Sequence, residues 1–188
     1  MELPLHLLAT QPRFPGLYRG AVVDVDDSTH RGRIQVTVPA VFDLTTPAAA
    51  VWAMPCFPWG HVFVPEVGDK VWVAFEDGDP ATPVWLGQWY ATGGMPATAA
   101  VSPPLKRLIV SKSGHEIVLD DTAGSEKIVI HSKTATQKIV LDETPGGEKV
   151  VISDKGGCSI ELSATGITIQ APGKPIVLKG LSVDVQAG

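Results

Sequence analysis

Two acidic clusters are the first residues in this sequence that could do chemistry. Each has three members close together: Glu76, Asp77 and Asp79 in one, and Asp24, Asp26 and Asp27 in the other. Grouped carboxylates suit calcium, but an EF-hand-type loop also needs regular ligand spacing and a distal glutamate, which is missing. We therefore predict that both clusters are solvated turns and that neither binds a metal.

The histidines offer little more chemistry. His61 lies near Glu66 and Asp69 in the sequence, which could suggest acid–base catalysis, but no nucleophile or second histidine accompanies it. His131 falls in a strand pattern, where we predict a polar surface position and not a ligand position. The sequence thus predicts no catalytic residue, no metal site and no cofactor.

Aromatic residues form the remaining candidate binding surface. They are Trp52, Trp59, Trp72, Trp85 and Trp89, together with Phe63. Such residues can stack on single-stranded nucleic acid, but that also requires a cationic groove. Residues 1–104 hold 5 Lys and Arg against 10 Asp and Glu, whereas residues 105–188 hold 10 of each. We therefore predict that the aromatic residues serve a core or a protein interface, and we expect no nucleic-acid partner.

The two cysteines and the start of the chain bear on the compartment. Cys56 and Cys158 show no CxxC spacing, so we predict two reduced, buried thiols; a bridge between the two halves is the alternative. Met1–Thr10 lacks the basic start and the cleavage site of a signal peptide. No apolar run approaches the roughly 18 residues of a membrane span. We expect synthesis in the cytoplasm.

The elements that must position these residues are predicted to be strands. Gly (19) and Pro (16) are spread along the 188 residues, and no window keeps helical apolar spacing for three turns. The fold class predicted is all-β. The change of composition near residue 100 divides the chain into an N-terminal extension (1–15), a first domain (16–90), a linker (91–108) and a second domain (109–188).

The first domain is predicted to be a small barrel of the OB type. Five short strands with long turns between them fit that fold, and Ile34, Val36 and Val38 alternate with polar residues along the second strand. The predicted strands are Leu17–Asp24, Arg33–Val38, Ala50–Met54, Lys70–Phe75 and Pro83–Trp89.

The second domain is a repeat of short aliphatic strands. Triplets begin at Ile117, Ile128, Ile139 and Val150, at a step of 11 residues, and shorter steps follow. Alternation along the strands predicts one buried aliphatic face. The residues predicted on it are Ile117, Leu119, Ile128, Ile130, Ile139, Leu141, Val150, Ile152, Ile160, Leu162, Ile167, Ile169, Ile176, Leu178, Val183 and Val185.

Strands this short cannot close a wide β-helix within one chain. Three chains, each forming one wall of a triangular prism, would bury the aliphatic face without a free sheet edge. We therefore predict an intertwined trimeric β-helix (β-prism) needle, and the alternative is a meandering flat sheet within one chain. Lys127, Lys138 and Lys149 precede successive triplets, which predicts a charged column on the exterior and only weakly supports a polysaccharide lyase site.

The stretch from Val64 to Gly87 resembles the phage baseplate assembly protein V and VgrG spike family. Gly32–Pro39 and Trp52–Pro55 are also similar to segments of that family, so the resemblance covers about residues 16–90. The family motif positions in this sequence are Pro65, Val67, Gly68, Asp69, Phe75, Glu76, Gly78, Asp79, Pro80, Pro83 and Gly87.

This resemblance implies the structural central spike of a contractile tail baseplate, not an enzyme. It implies a homotrimeric needle that seats on a tail-tube hub at its OB end and crosses a target membrane transiently, sometimes with effector cargo. Family members with an iron-binding tip carry a His-x-His pair, which His6, His30, His61, His115 and His131 do not form. We therefore expect a separate PAAR-type tip protein at the C-terminal end.

The resemblance leaves the machine open, between a phage, a tailocin, an extracellular injection system and a type VI secretion system. It implies assembly into a phage-like particle that is extracellular on release. The alternative function is an OB-fold module that binds an oligonucleotide or oligosaccharide, with the β-repeats as a stalk. Tight, salt-sensitive binding of single-stranded DNA would favour this alternative.

Overall fold

The computed structural model describes residues 12–42 and 50–186. The chain divides between Gly94 and Met95 into two units, and both are built of strands. Most of the predicted N-terminal extension, including His6, lies outside the described residues. Within the described ranges, no helix is both long and apolar enough to cross a membrane.

The first unit is a closed five-stranded barrel. Its strands are β1 (Tyr18–Asp24), β2 (Ile34–Thr37), β3 (Ala50–Pro55), β4 (Lys70–Phe75) and β5 (Pro83–Gln88). They close in the order β1-β2-β3-β5-β4, with a parallel pairing between β3 and β5 and antiparallel pairings elsewhere. The predicted OB-type barrel is confirmed, and the predicted strand bounds agree to within a residue or two.

Alternation along the strands fills the barrel. Ile34, Val36 and Val38 are fully buried, as their period of two predicts, because successive side chains of a strand point to opposite faces. The complete buried core is Val22, Ile34, Val36, Val38, Ala53, Val71, Val73, Phe75 and Trp85.

The second unit is an antiparallel meander of seven strands. They are β6 (Lys106–Val110), β7 (Glu116–Asp120), β8 (Lys127–His131), β9 (Lys138–Asp142), β10 (Lys149–Ser153), β11 (Ser159–Ser163) and β12 (Gly166–Gln170). Strand β6 begins at Lys106, within the stretch predicted as a linker. The β-sheet character of this half is confirmed, and within one chain it takes the form of the meander that the sequence left as the alternative to winding.

Alternate turns of the meander repeat one hydrogen-bonded device. Asp120 Oδ1 accepts from the Thr122 hydroxyl at 2.6 Å, and Asp142 Oδ1 accepts from the Thr144 hydroxyl at 2.6 Å, 22 residues later. These bonds lower the pKa of both aspartates, and the nearby Lys106 and the pair Lys127 and Lys149 lower them further. The sequence period of 11 is thus a structural period of one hairpin.

The last two aliphatic pairs are not in strands. Ile176 with Leu178 and Val183 with Val185 follow β12 in extended backbone, and all four side chains are exposed. Pro172 and Pro175 lack the N–H groups that a further hairpin would need. The prediction that these pairs continue the strand repeat is therefore wrong for the single chain.

Candidate functional site: the aliphatic face of the second sheet

Strand register places the predicted aliphatic residues on one face of the sheet. Directly opposed residues in an antiparallel pair share a face, and here each aliphatic residue opposes another. The result is two continuous columns across β7–β12, which we call the aliphatic face. One column is Ile117, Ile130, Ile139, Ile152, Ile160 and Ile169; the other is Leu119, Ile128, Leu141, Val150, Leu162 and Ile167.

The aliphatic face is exposed in the single chain. Eleven of its twelve side chains keep between 37% and 71% of their surface in solvent, and Val150 is half-buried. None of the twelve carries a polar side-chain atom. A contiguous apolar surface of this kind marks an interaction site in soluble proteins, because isolated monomers expose such patches only on a small scale.

The free energy available from covering this face is large. Removing the remaining exposed surface of an Ile or Leu side chain contributes on the order of 1 kcal/mol, so twelve contribute about 10 kcal/mol per chain. Each association step costs about 4–15 kcal/mol of lost rotational and translational freedom. Three chains that bury this face together therefore gain more than the two association steps cost.

The opposite face carries paired charges. Lys106, Asp120, Lys127, Asp142 and Lys149 oppose one another in turn across β6–β10, so the sign of charge alternates from strand to strand. Lys106 Nζ lies 3.3 Å from Asp120 Oδ2. Opposite charges placed across strands stabilise the pairing, and like charges would weaken it. This face is suited to water and not to a dry core.

The lysine column predicted from the sequence is wrong. Lys127 and Lys149 both flank Asp142, but Lys138 lies at the other end of its strand, opposite His131 and Ser153. Antiparallel strands reverse direction, so residues 11 apart alternate between the two ends of the sheet. The resulting column has both signs, which removes the last support for a lyase-like basic site.

His131 lies on the charged face and is paired there. Its Nε2 is 3.3 Å from Glu116 Oε2, and the Thr98 hydroxyl donates to the same oxygen at 2.9 Å. All three groups belong to the second unit, and this cluster fastens the segment before β6 to the sheet. The sequence missed it, because Glu116 and His131 are brought together only by the hairpin register.

In the barrel, the first part of the family motif forms a turn. Gly68 adopts a φ of 96°, its N–H donates to Val22 O at 2.9 Å, and Val22 N–H donates to Asp69 O at 2.9 Å. The Asp69 carboxylate accepts from Glu66 N–H at 2.9 Å. Val67 and Gly68 are exposed, and Pro65 is half-buried. Asp69 is therefore occupied in closing the turn, and the predicted weakness of the His61, Glu66 and Asp69 constellation agrees with this geometry.

The second part of the motif forms the β4–β5 connection. Glu76–Gly78 is a short 3-10 turn in which Asp77 and Gly78 adopt positive φ values of 50° and 73°. Gly78 O accepts from Phe14 N–H at 2.8 Å, and a Cβ at Gly78 would lie 3.0 Å from that nitrogen. Asp79 Oδ1 accepts from Ala81 N–H at 2.9 Å. The residues thus build the predicted turn, and glycine at 78 admits the close backbone approach.

The motif ends by shaping β5. Pro83 is the first residue of that strand, where its missing N–H is tolerated, and Pro80 lies in the preceding turn. Gly87 adopts a φ of 149° beside the register shift between β4 and β5, and Phe75 fills the core. All eleven motif residues therefore lie in the barrel core, its turns or its bulge.

Asp27 corrects the prediction that its cluster is solvated. The residue is 8% exposed, and its carboxylate accepts bonds from Thr29, Arg31 and Arg33. The Arg33 guanidinium binds through Nε at 3.0 Å and Nη2 at 2.7 Å, and it also lies 5.3 Å from the centre of the Trp52 ring. The bonds from Arg33 hold the pKa of Asp27 far below its usual range.

We expect Asp27→Asn to lower the stability of the barrel at neutral pH by several degrees of unfolding temperature, since the amide cannot accept the bidentate Arg33 bond. The folded pKa of Asp27 is depressed, so its contribution is present above the unfolded pKa of about 4 and declines as pH falls toward the folded pKa. Unfolding curves at pH 7 and pH 3 should therefore converge between the variant and the parent. Asp26→Asn, at an exposed neighbour, is the matched control; an equal loss there would contradict the assignment.

The tryptophans do not form a single platform. Trp85 is buried, and its Nε1 donates to Gly32 O at 3.3 Å. Trp72 and Trp89 are half-buried around the Arg19 guanidinium, which is 5.8 Å and 4.7 Å from their ring centres. Trp59 and Phe63 lie exposed in the loop between β3 and β4. A stack of bases would need these rings on one surface, and they are dispersed.

The remaining candidate residues show no chemical site. Cys56 is exposed and Cys158 half-buried, and both are free, so the prediction of two buried thiols is wrong for Cys56. Among residues 12–42 and 50–186, no three His, Cys, Asp or Glu side chains are grouped so as to hold a metal ion.

Comparisons with known proteins agree with both halves of this description. A family model of the type VI secretion system and phage-baseplate injector OB domain matches residues 18–90, and a model of the phage baseplate V C-terminal trimerisation domain matches residues 127–188. The type VI secretion system spike proteins VgrG1c and VgrG1a of Pseudomonas aeruginosa are each 33% identical to this chain over 85 residues. The match covers 40% of this chain but only 11% and 13% of those relatives.

Proposed function

This chain belongs to the phage baseplate V and VgrG-like spike family, and from that premise we propose that it is the homotrimeric central spike of a contractile injection machine. The observation that carries the proposal is the aliphatic face, which is exposed in one chain and lies largely within the matched trimerisation domain. In the proposed trimer each sheet is one wall of a prism. The aliphatic faces form a dry interior, and the charged faces meet water.

The proposed needle is a mechanical part. The interior columns contain no polar side chain that would hydrate a lumen, so the trimer is a solid rod and not a channel. Cross-strand ion pairs on the exterior, such as Lys149 with Glu161 at 3.3 Å, discourage pairing with foreign strands. A rod with a dry core and a charged surface suits a protein that is pushed through a membrane and makes only transient contact with it.

The ends of the rod are proposed to engage other proteins. The barrels seat on a tail-tube hub, and a PAAR-type tip protein covers the distal end. The extended segment after β12 exposes Ile176, Leu178, Val183 and Val185, and in the proposed trimer the three copies of this segment wind together. We propose no enzymatic activity and no nucleic-acid partner. We propose assembly in the cytoplasm into a phage-like particle that is released from the cell, with effector cargo as an optional addition.

The mass of the purified chain in solution tests this proposal. Light scattering after size-exclusion chromatography should give about three times 19.9 kDa at micromolar concentration, because the buried aliphatic area outweighs the cost of association. A mass of 19.9 kDa, with amide hydrogen exchange showing β7–β12 protected, would reject the trimer. The oligonucleotide-binding alternative requires tight binding of single-stranded DNA at physiological salt, which we expect to be absent.

A further inference from the structure

A second apolar surface lies on the barrel, separate from the aliphatic face. The loop from Pro58 to Val64, which we call the barrel loop, has every residue exposed and contains no charged residue. Trp59 keeps 98% of its surface in solvent, Val62 76% and Phe63 58%. Aromatic residues exposed together in this way are typical of the anchors of protein interfaces. Neither the barrel core nor the motif turns account for them.

The position of the barrel loop narrows the choice of occupant. The chain leaves the barrel where this loop rejoins it, since Trp89 N–H donates to Lys70 O at 3.0 Å. The chain then continues into the unit that contains the trimerisation domain. If that unit joins three copies, it holds three barrel loops at high effective concentration near their points of tethering.

Charge favours a second copy over a membrane. Residues 1–94 carry 5 Lys and Arg against 10 Asp and Glu, so each barrel unit has a formal charge of −5. Three such units repel one another, and an anionic lipid surface would repel them as well. An uncharged apolar loop is a surface through which like-charged barrels can meet without placing carboxylates opposite each other.

We propose that the barrel loop is a contact between sister chains, in which Trp59 and Phe63 of one copy pack against a neighbouring barrel. This inference rests on the proposed trimer. It assigns the loop to the spike itself, so that the barrels are locked together before any hub or membrane is met.

Hydroxyl-radical labelling of the full-length trimer, read by mass spectrometry, tests this contact. If the loop is free, Trp59 should be the most heavily labelled tryptophan, because the other four are buried or half-buried. We expect instead that Trp59 and Phe63 are labelled several-fold less than exposed Leu17, whose side chain is 59% exposed in the single chain. Heavy labelling of Trp59 in a sample with trimer mass would overturn the contact and leave the proposed function intact.

A substitution provides an independent reading of the same contact. Trp59→Glu places three like charges together in the trimer, so we expect the trimer mass to be kept, barrel unfolding to shift down by several degrees and labelling of Phe63 to rise several-fold. Leu17→Glu introduces the same charge at another exposed apolar residue of the barrel unit and should change neither reading. Protection of the loop that appears only on adding a purified hub protein or phosphatidylglycerol vesicles would assign it to that partner and refute the sister-chain contact.

Discussion

Replacing Ile139 by aspartate should convert the trimer into single chains of 19.9 kDa. Ile139 lies in the middle of the aliphatic face, opposite Ile130 and Ile152. In the trimer the substitution would place three carboxylates in a dry interior, at an effective penalty of several kcal/mol per ion. The total, about 10 kcal/mol per trimer, would weaken association by roughly seven orders of magnitude. In a single chain the same carboxylate would meet water.

The matched control is Val140→Asp, one residue along the same strand. Val140 faces the other side of the sheet, where Lys127 and Lys149 lie diagonally across the neighbouring strands. An aspartate there has water and two cations nearby, so we expect the trimer mass to be unchanged. Circular dichroism would verify that both variants keep their strands. Equal loss of the trimer in both variants would mean that general sheet destabilisation, and not burial of the aliphatic face, explains the result.

Replacing Trp85 by alanine should have the largest effect on the barrel. The indole is 4% exposed and packs edge-on against Phe57, with ring centres 5.0 Å apart. Its removal would leave a large cavity and deprive Gly32 O of a donor, and truncation of a buried aromatic residue costs about 3–5 kcal/mol. For a barrel of this size the unfolding temperature should fall by more than about 10 °C.

Leu86→Ala tests the same strand without opening the core. Leu86 follows Trp85 in β5 but points outward and is 42% exposed, so its truncation should shift the unfolding temperature by no more than a degree or two. The mass of the Trp85→Ala variant should remain that of the trimer, since its defect is confined to the first unit. A common loss of barrel stability and trimer mass would show that the two units depend on each other.

Much of the fold follows from local pattern in the sequence. The five barrel strands, the alternation of Ile34, Val36 and Val38, and the aliphatic repeat from Ile117 onward are readable because strand side chains alternate with a period of two. The family motif likewise identified turns whose glycines and aspartates have local backbone roles. These features involve residues close together in the chain, so neighbouring residues were enough to reveal them.

Other features depended on which strands lie side by side. Asp27 carries no mark in the sequence that separates it from Asp24 and Asp26, and only the folded turn brings Arg33 onto its carboxylate. Lys138 leaves the predicted lysine column because antiparallel strands reverse direction, and Glu116 meets His131 for the same reason. The sequence alone thus determined which residues are strands and which strand faces are apolar. Only the tertiary structure decided which charged groups meet, because that depends on register and direction between strands distant in the chain.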